Sequence, residues 1–139
     1  NVIAGVTSAL SGAAVLGAPI GHDFAVISLS DYLTPPQLIE KRLELAALGD
    51  FCIAIYNPQS HAREDYLKKA CDILLKYKSQ DTICGWVRNI GRSEMSYNIL
   101  TLKDLGKEPL DMFCTVFIGN KMTVNINGKM VTPRGYKEI

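Results

Sequence analysis

Three asparagines follow apolar segments that are typical of buried strands. Asn57 ends FCIAIYN, Asn89 ends TICGWVRN and Asn120 ends VFIGN. A carboxamide donates and accepts hydrogen bonds on a short side chain, which suits binding to the edge of a base or to a ribose hydroxyl. Tyr56 adds an aromatic face for stacking. Because asparagine also tolerates left-handed backbone geometry, the same pattern is compatible with simple turns.

Two further pairs of residues could bind an anion. Thr7 and Ser8 stand at the start of a predicted helix, where backbone amides and hydroxyls can receive a carboxylate or phosphate, although Thr7 could equally be a simple cap. Arg88 and Arg92 flank the segment that contains Asn89 and could pair with an anionic ligand. Solvated surface arginines are the alternative interpretation.

His22 and Asp23 follow Gly21 in a predicted loop and form a candidate acid or base pair, with an ordinary turn as the alternative. The sequence has no Gly-x-Ser-x-Gly elbow, no P-loop and no Gly-x-Gly-x-x-Gly motif. Their absence argues against serine hydrolases, NTPases and the usual dinucleotide enzymes.

Composition narrows the class of protein further. Fifteen Lys and Arg against 14 Asp and Glu give a net charge of +1, which argues against nucleic acid as a partner. No apolar run approaches the roughly 18 residues that span a bilayer, and the first residues lack the basic start of a signal peptide. Three of the four cysteines lie inside apolar, strand-like segments, so we predict buried thiols in a reducing compartment and a cytoplasmic location. With no Cys-x-x-Cys spacing and only two histidines, we predict no metal site.

The spacing of apolar residues predicts alternating helices and strands. We expect helices over 8–17, from a Thr34 capping box to Gly49, and over 61–78 with Ser60 as the cap. Strands are predicted over 24–30, 51–56, 82–89 and 111–120, with a shorter strand in 96–106. Asn127-Gly128 predicts a two-residue hairpin within 123–131.

This order predicts one α/β domain over residues 1–139, with a sheet of about five mostly buried strands and helices on both faces. Ligands of open α/β sheets bind outside the carboxyl ends of the strands. A sheet whose main strands run in parallel would bring Asn57, Asn89 and Asn120 together, whereas a mixed sheet would separate them.

Several motifs, taken in order, resemble those of the tetrapyrrole methylase family. They are AGVTSALSGAAVLGAPIGHDFAVISLSD, ALGDFCIAIYNPQS, TICGWVRNIGR, VFIGN and GKMVTPRGY, and together they cover essentially the whole chain. The resemblance is greatest to the branch that methylates carbon 17 of a precorrin-3B or cobalt-factor III type tetrapyrrole. Ala4 stands where that family usually has proline.

The resemblance implies methyl transfer from S-adenosylmethionine with contraction of the macrocycle, in cobalamin biosynthesis. Family members have two α/β domains with the methyl donor in the cleft between them, and they usually form homodimers. The chain resembles only the C-terminal domain, so the N-terminal domain, with its glycine-rich loop, is expected as a missing partner. We therefore expect this chain alone to be inactive.

Carried over to this sequence, the resemblance assigns residues to the donor and to the macrocycle. The donor positions are Thr7 and Ser8 at the methionine portion, Tyr56 and Asn57 beside the adenosine, and Arg88, Asn89, Gly119 and Asn120 as further contacts. His22 and Asp23 are the candidates for the macrocycle or for proton transfer. The alternatives are a related methyltransferase of the diphthine synthase or ribosomal RNA type, or a ligand-binding or dimerisation module without catalysis.

Overall fold

The computed structural model describes residues 1–136 of the chain. It contains four helices and eight strands within that range. The helices are α1 (Ser8–Leu16), α2 (Pro36–Leu48), α3 (Tyr66–Leu74) and α4 (Leu102–Leu105). The strands are β1 (Gly17–Ala18), β2 (Phe24–Ser28), β3 (Cys52–Tyr56), β4 (Ile83–Arg88), β5 (Ser96–Thr101), β6 (Cys114–Ile118), β7 (Val124–Ile126) and β8 (Lys129–Val131).

The main sheet has five strands in the order β2-β3-β6-β4-β5. β2 is parallel to β3, while β6 is antiparallel to both of its neighbours, β3 and β4, and β5 is antiparallel to β4. Strands β2, β3 and β4 therefore share one direction, and β5 and β6 run the other way. The predicted α/β class and strand number are confirmed, and the sheet is mixed.

Helices cover both faces of this sheet, as predicted. Alternate residues of β3 accordingly point into two different cores, one on each face. Ile53 and Ile55 are fully buried in the larger core, together with the inner residues of α2 and α3. Ala54 points to the other face, where it joins Ala9, Ala13 and Leu16 of α1 in a smaller core.

The small residues of α1 allow it to lie close to the sheet. A Cβ added at Gly12 would lie 3.0 Å from the ring of Phe117, and one added at Gly85 on β4 would lie 2.9 Å from Leu16 Cδ1. Both contacts are tighter than normal packing, so larger residues would push the helix outward. This close approach fixes the middle and the carboxyl end of α1 against the strands.

The helix starts differ from the sequence predictions. Helix α2 begins at Pro36 with Pro35 in the N-cap position, so the predicted capping box of Thr34 does not form. Helix α3 begins at Tyr66, not at residue 61, and Ser60 forms a bridge with Arg63 instead of a cap. The Gln59 side chain donates to the Glu64 carbonyl at 2.6 Å, which helps to hold the preceding segment in a non-helical loop.

The predicted burial of the 24–30 strand is wrong for one face. Phe24 and Val26 are 38% and 48% exposed, because β2 is an edge strand and α1 packs on β4, β5 and β6. The predicted hairpin is confirmed, with Asn127 and Gly128 at φ 50° and 77° joining β7 to β8. Strand β1, which pairs with β8, and helix α4 were not predicted. Among residues 1–136 there is no helix that is both long and apolar enough to cross a membrane.

Candidate functional site

An open cavity of about 320 Å³ lies at the sheet edge where β2, β3 and β4 end. Four separate segments of the chain supply its walls: the first turn of α1, the end of β3, the turn after β4 and the start of β6. The lining residues are Ser8, Tyr56, Asn57, Asn89, Ile90, Arg92, Met112, Phe113, Cys114 and Thr115. We call this cavity the strand-end pocket.

Tyr56 connects β3 to the amino end of α1. Its hydroxyl accepts the backbone N–H of Ala9 at 3.0 Å and also hydrogen-bonds to the Thr7 hydroxyl. Thr7 stands in the N-cap position but makes no side-chain cap bond to the helix, which corrects the predicted capping role. Burial raises the pKa of Tyr56, but hydrogen bonds from Ser8, Thr7 and Ala9 outweigh it and lower the pKa below its ordinary value.

The two asparagines at this edge adopt the left-handed backbone conformation that the turn interpretation required. Asn57 has φ 52° and Asn89 has φ 53°. The carboxamide of Asn57 donates to Ser28 Oγ at 3.0 Å, which fixes its orientation beside the pocket. Both residues line the pocket, so the turn role and a binding role are compatible at the same positions.

The start of β6 supplies pocket residues that sequence reasoning missed. The segment from Met112 to Thr115 reaches this edge because β6 runs antiparallel to β3 and β4. The Asn89 backbone N–H donates to the Phe113 carbonyl at 3.2 Å and joins this segment to the turn after β4. The sequence indicated a strand here but not its direction, and only the direction decides which end faces the site.

Gly119 and Asn120 lie at the opposite edge of the sheet, at the end of β6. The Gly119 carbonyl accepts a hydrogen bond from the buried ammonium group of Lys78 at 3.1 Å. The Asn120 carboxamide oxygen accepts the backbone N–H of Met122 at 2.9 Å. The expected meeting of three strand-end asparagines is therefore wrong for Asn120, because the sheet is mixed.

His22 and Asp23 also lie at that opposite edge, because they immediately precede β2. Their side chains are 47% and 81% exposed, with His22 Nδ1 3.8 Å from Asp23 Oδ2. The five residues of β2, roughly 15 Å of extended chain, separate them from the strand-end pocket. The structure does not bring this pair to the predicted site residues that line the strand-end pocket.

The side chains of the two arginines near the pocket have different surroundings. Arg92 lines the cavity and is the one charged residue among the ten that do so. Arg88 is not among the lining residues, and its guanidinium instead donates to the Pro109 carbonyl at 3.1 Å and pairs with Asp111.

The predicted buried thiols are confirmed. Cys52, Cys71, Cys84 and Cys114 are all free and buried. Within residues 1–136 there is no group of three or more His, Cys, Asp or Glu side chains that could hold a metal ion.

The fold and the site define the class of protein: a mixed α/β domain with a ligand-sized pocket at its strand ends. Comparison with known proteins identifies the family. Residues 1–106 match the tetrapyrrole (corrin/porphyrin) methylases. The chain belongs to this family, which confirms the family predicted from the motifs.

Curated relatives are named for carbon-17 methylation. The chain is 47% identical over 136 residues to the probable cobalt-factor III C(17)-methyltransferase of Salmonella typhimurium, covering 98% of this chain and 56% of that protein. It is 46% identical over 143 residues to the protein of the same name in Methanocaldococcus jannaschii, covering 98% and 57%. The chain thus spans little more than half the length of these relatives.

Solved structures share the fold. The structure of the methyltransferase CobJ superimposes with a TM-score of 0.87 at 37% identity, over 93% of this chain and 54% of that one. A uroporphyrin-III C-methyltransferase from Thermus thermophilus, complexed with S-adenosyl homocysteine, gives a TM-score of 0.58 at 16% identity, over 85% and 51%. At that identity the second comparison supports the fold alone.

The pocket's chemistry fits half of a site for a nucleoside-containing methyl donor. Asn57 and Asn89 offer carboxamides to polar edges, while Ile90 and Phe113 offer apolar surface to a flat ring. Arg92 offers a positive charge to a carboxylate. The cavity is open on one side, so a second wall is needed to enclose a ligand.

Proposed function

We propose that this chain forms the C-terminal half of an S-adenosylmethionine-dependent methyltransferase of cobalamin biosynthesis. The substrate would be a precorrin-3B or cobalt-factor III type tetrapyrrole, methylated at carbon 17 with contraction of the ring. The observation that carries this proposal is the strand-end pocket, where residues from four segments converge at one edge of a family-typical domain. The names of the relatives support the choice of substrate.

The donor would lie in the strand-end pocket. When bound, S-adenosylmethionine supplies a methyl group already activated by the sulfonium, so the protein mainly has to orient it and exclude water. We assign Asn57 and Asn89 to polar contacts with the adenosine, and Ser8 to the methionine portion. Thr7 would act through Tyr56, since its hydroxyl is bonded to that phenol and not aimed at a free helix amide.

Two features favour a missing N-terminal half as the other wall. The pocket is open to one side, and the curated relatives are nearly twice as long as this chain. Such a partner would enclose the donor and complete the macrocycle site. Four predicted site residues lie at the opposite edge of the sheet: His22, Asp23, Gly119 and Asn120. Contact of His22 and Asp23 with the macrocycle remains a prediction of the family resemblance. A homodimer remains a prediction of the family resemblance, and a cytoplasmic location remains a prediction from the cysteines.

Binding of S-adenosylhomocysteine, measured by isothermal titration calorimetry, tests the proposal. The 139-residue chain would be compared with a fusion protein in which the part of the Salmonella typhimurium relative that precedes the matched segment is joined to Asn1. We expect micromolar binding by the fusion protein and at least tenfold weaker binding by the chain alone, since half of the enclosing surface is missing. A correctly folded fusion protein that fails to bind would refute the methyltransferase assignment.

Product analysis then tests the reaction. The fusion protein, incubated with S-adenosylmethionine and cobalt-factor III, should yield a product heavier by one methyl group, detected by mass spectrometry. The 139-residue chain alone should yield none. Donor binding without any methylation of this substrate would favour a related methyltransferase, and equal donor binding by the chain alone would favour a binding module.

A further inference from the structure

We propose that Arg88 is a positioning residue that, together with Trp86, fixes the 108–114 segment as a wall of the strand-end pocket. Only the expected effect on donor binding rests on the proposed function. The contacts that define it are present in the chain itself, so they can be tested without any ligand. It also differs from the direct donor contact that the family resemblance assigned to Arg88.

Arg88 holds the middle of this segment by two contacts and also packs against Trp86. Its Nη2 donates to the Pro109 carbonyl at 3.1 Å, and its Nε lies 3.3 Å from Asp111 Oδ2. Nε is buried and not aligned for a hydrogen bond, so the second contact is an ion pair. The guanidinium also lies 5.8 Å from the centre of the Trp86 ring, within range of a cation–π interaction.

Trp86 holds the beginning of the segment. Its indole Nε1 donates to Glu108 Oε2 at 2.7 Å. Trp86 and Arg88 are two residues apart on β4, so both side chains project from the same face of that strand. The two side chains together thus bind three positions of the segment from one strand.

The far end of the segment is fixed through Asp111. Its Oδ1 accepts the backbone N–H of Phe113 at 2.9 Å, while its Oδ2 faces Arg88. The backbone N–H of Leu110 donates to Gln59 Oε1 at 2.8 Å, which adds a link to the loop after β3. Arg88 therefore acts on Phe113 through Asp111, and the carboxylate is the shared element.

The positions of Met112 and Phe113 depend on this scaffold. The two residues are 59% and 55% exposed, so little packing of their own holds them in place. Both line the strand-end pocket and also an adjoining groove of about 690 Å³. Loosening the segment would therefore move the boundary between two cavities while leaving the buried core intact.

A double-mutant cycle with two readouts tests the proposal. Arg88→Ala, Asp111→Asn and the double variant would be made in the 139-residue chain and in the fusion protein described above. Amide hydrogen exchange of residues 108–114, measured on the unliganded chain, should accelerate about tenfold in each single variant and no further in the double variant. Arg88→Lys, which keeps the charge but not the planar fork, should fall between wild type and Arg88→Ala.

Donor affinity in the fusion protein provides the second readout. We expect S-adenosylhomocysteine to bind about 5- to 10-fold more weakly to each single variant, with a non-additive double variant. Arg42→Ala, an exposed arginine of α2, is the control for loss of one positive charge and should change neither readout.

The outcomes separate this proposal from the proposed function. Unchanged exchange in Asp111→Asn, or additive losses of affinity, would overturn the positioning role and favour a direct contact of Arg88 with the donor. Accelerated exchange in a fusion protein that binds no donor would uphold the scaffold while refuting the methyltransferase assignment. Should Arg88→Ala not fold, the nearly isosteric Asp111→Asn and Arg88→Lys carry the test.

Discussion

The hydroxyl of Tyr56 accepts the backbone N–H of Ala9 at 3.0 Å and thereby joins the last residue of β3 to the first turn of α1. These residues are 47 positions apart, and the bond places the helix amino end at the same sheet edge as Asn57 and Asn89. One of the backbone N–H groups at the amino end of α1 therefore has a phenol oxygen as its hydrogen-bond partner. Any ligand at this edge would meet a helix terminus that is already anchored.

Tyr56→Phe should lower the free energy of unfolding by about 1 kcal/mol, because it leaves the Ala9 amide without its partner while keeping the ring. Urea denaturation followed by circular dichroism measures the change. Tyr32→Phe is the matched control, since Tyr32 is 82% exposed, and it should cost less than about 0.5 kcal/mol. Equal stability of the Tyr56→Phe variant and wild type would show that water replaces the phenol at this helix end.

Tyr56 should ionise at a lower pH than an ordinary tyrosine. Burial raises its pKa, but the hydrogen bonds that its oxygen receives from Ser8, Thr7 and Ala9 stabilise the phenolate and lower the pKa overall. Tyr66 shifts in the other direction, because its hydrogen bond to Asp31 raises its pKa. The Tyr56 anion therefore contributes to stability only in alkaline solution, above the pKa of an unfolded tyrosine of about 10, and the contribution is lost as the pH falls through the folded pKa.

An ultraviolet difference titration of wild type against Tyr56→Phe checks this shift. The component that disappears in the variant should titrate below the pKa of free tyrosine, which is about 10. A missing component at or above that value would contradict the hydrogen-bond assignment.

Asn57 can be tested separately as a turn residue and as a ligand contact. Asn57→Ala should lower the free energy of unfolding by about 1 kcal/mol, because its φ of 52° is strained for alanine, whereas Asn57→Gly should tolerate that backbone geometry. In the fusion protein, both variants should weaken S-adenosylhomocysteine binding by about 1 to 2 kcal/mol if the carboxamide bonds to the donor. Wild-type affinity in Asn57→Gly would show that the residue serves only the turn.

The opposite edge of the sheet depends on a buried cation. The side chain of Lys78 is 2% exposed and its ammonium donates to Asp50 Oδ1 and to the carbonyls of Phe51 and Gly119, at 3.2, 3.0 and 3.1 Å. All three of its N–H donors therefore have partners. The carbonyl of Gly119, a predicted donor contact, is therefore one of the partners of this buried cation.

Asp50→Asn should lower the free energy of unfolding by about 2 kcal/mol or more, because it leaves the buried ammonium without a countercharge. Asparagine accepts the φ of 53° at this position, so the variant tests charge and not backbone strain. Asp72→Asn, which removes an exposed partner of Lys68, is the control and should cost less than about 1 kcal/mol. Similar losses from the two variants would mean that the Lys78 pair is no more important than a surface pair.

The sequence predicted the elements of this fold better than their directions. Buried strands such as FCIAIY and the Asn127-Gly128 hairpin follow from local apolar pattern and turn chemistry. The reversed direction of β6 depends on its pairing with β3 and β4, which are far away in sequence. Asn57 and Asn89 were therefore placed together correctly, while Asn120 was not, and Phe113 and Thr115 were missed.

Local competition explains the other errors. The start of α3 was predicted at residue 61, with Ser60 as the cap, because hydroxyl residues often cap helices. The Ser60–Arg63 bridge and the Gln59 side chain hold that segment in a different conformation. Thr7 was expected to bond its own helix, and the Tyr56 hydroxyl competes for it from another element. The edge position of β2 left Phe24 and Val26 exposed, which a pattern of apolar residues cannot reveal.

The buried thiols should make the protein less stable in alkaline solution. Burial, followed by the nearby Asp72 carboxylate, raises the pKa of Cys71 to about 12, and burial also raises the pKa of Cys84. A thiol whose folded pKa exceeds its unfolded value of about 8.5 stabilises the fold fully below that value, and the contribution is lost as the pH rises toward the folded pKa. The free energy of unfolding, measured by urea denaturation, should therefore fall between about pH 9 and 12, by up to about 1.4 kcal/mol per pH unit for each such thiol.

Cys71→Ala identifies the contribution of one thiol. The variant should be less stable than wild type at neutral pH, because it leaves a small cavity, yet its stability should decline less steeply in alkaline solution. A thiol reagent gives an independent check, since the four buried cysteines should react slowly in the native chain and rapidly after denaturation. An alkaline slope unchanged by Cys71→Ala would mean that this thiol does not ionise on unfolding in that range, and the buried environment assigned to it would then be wrong.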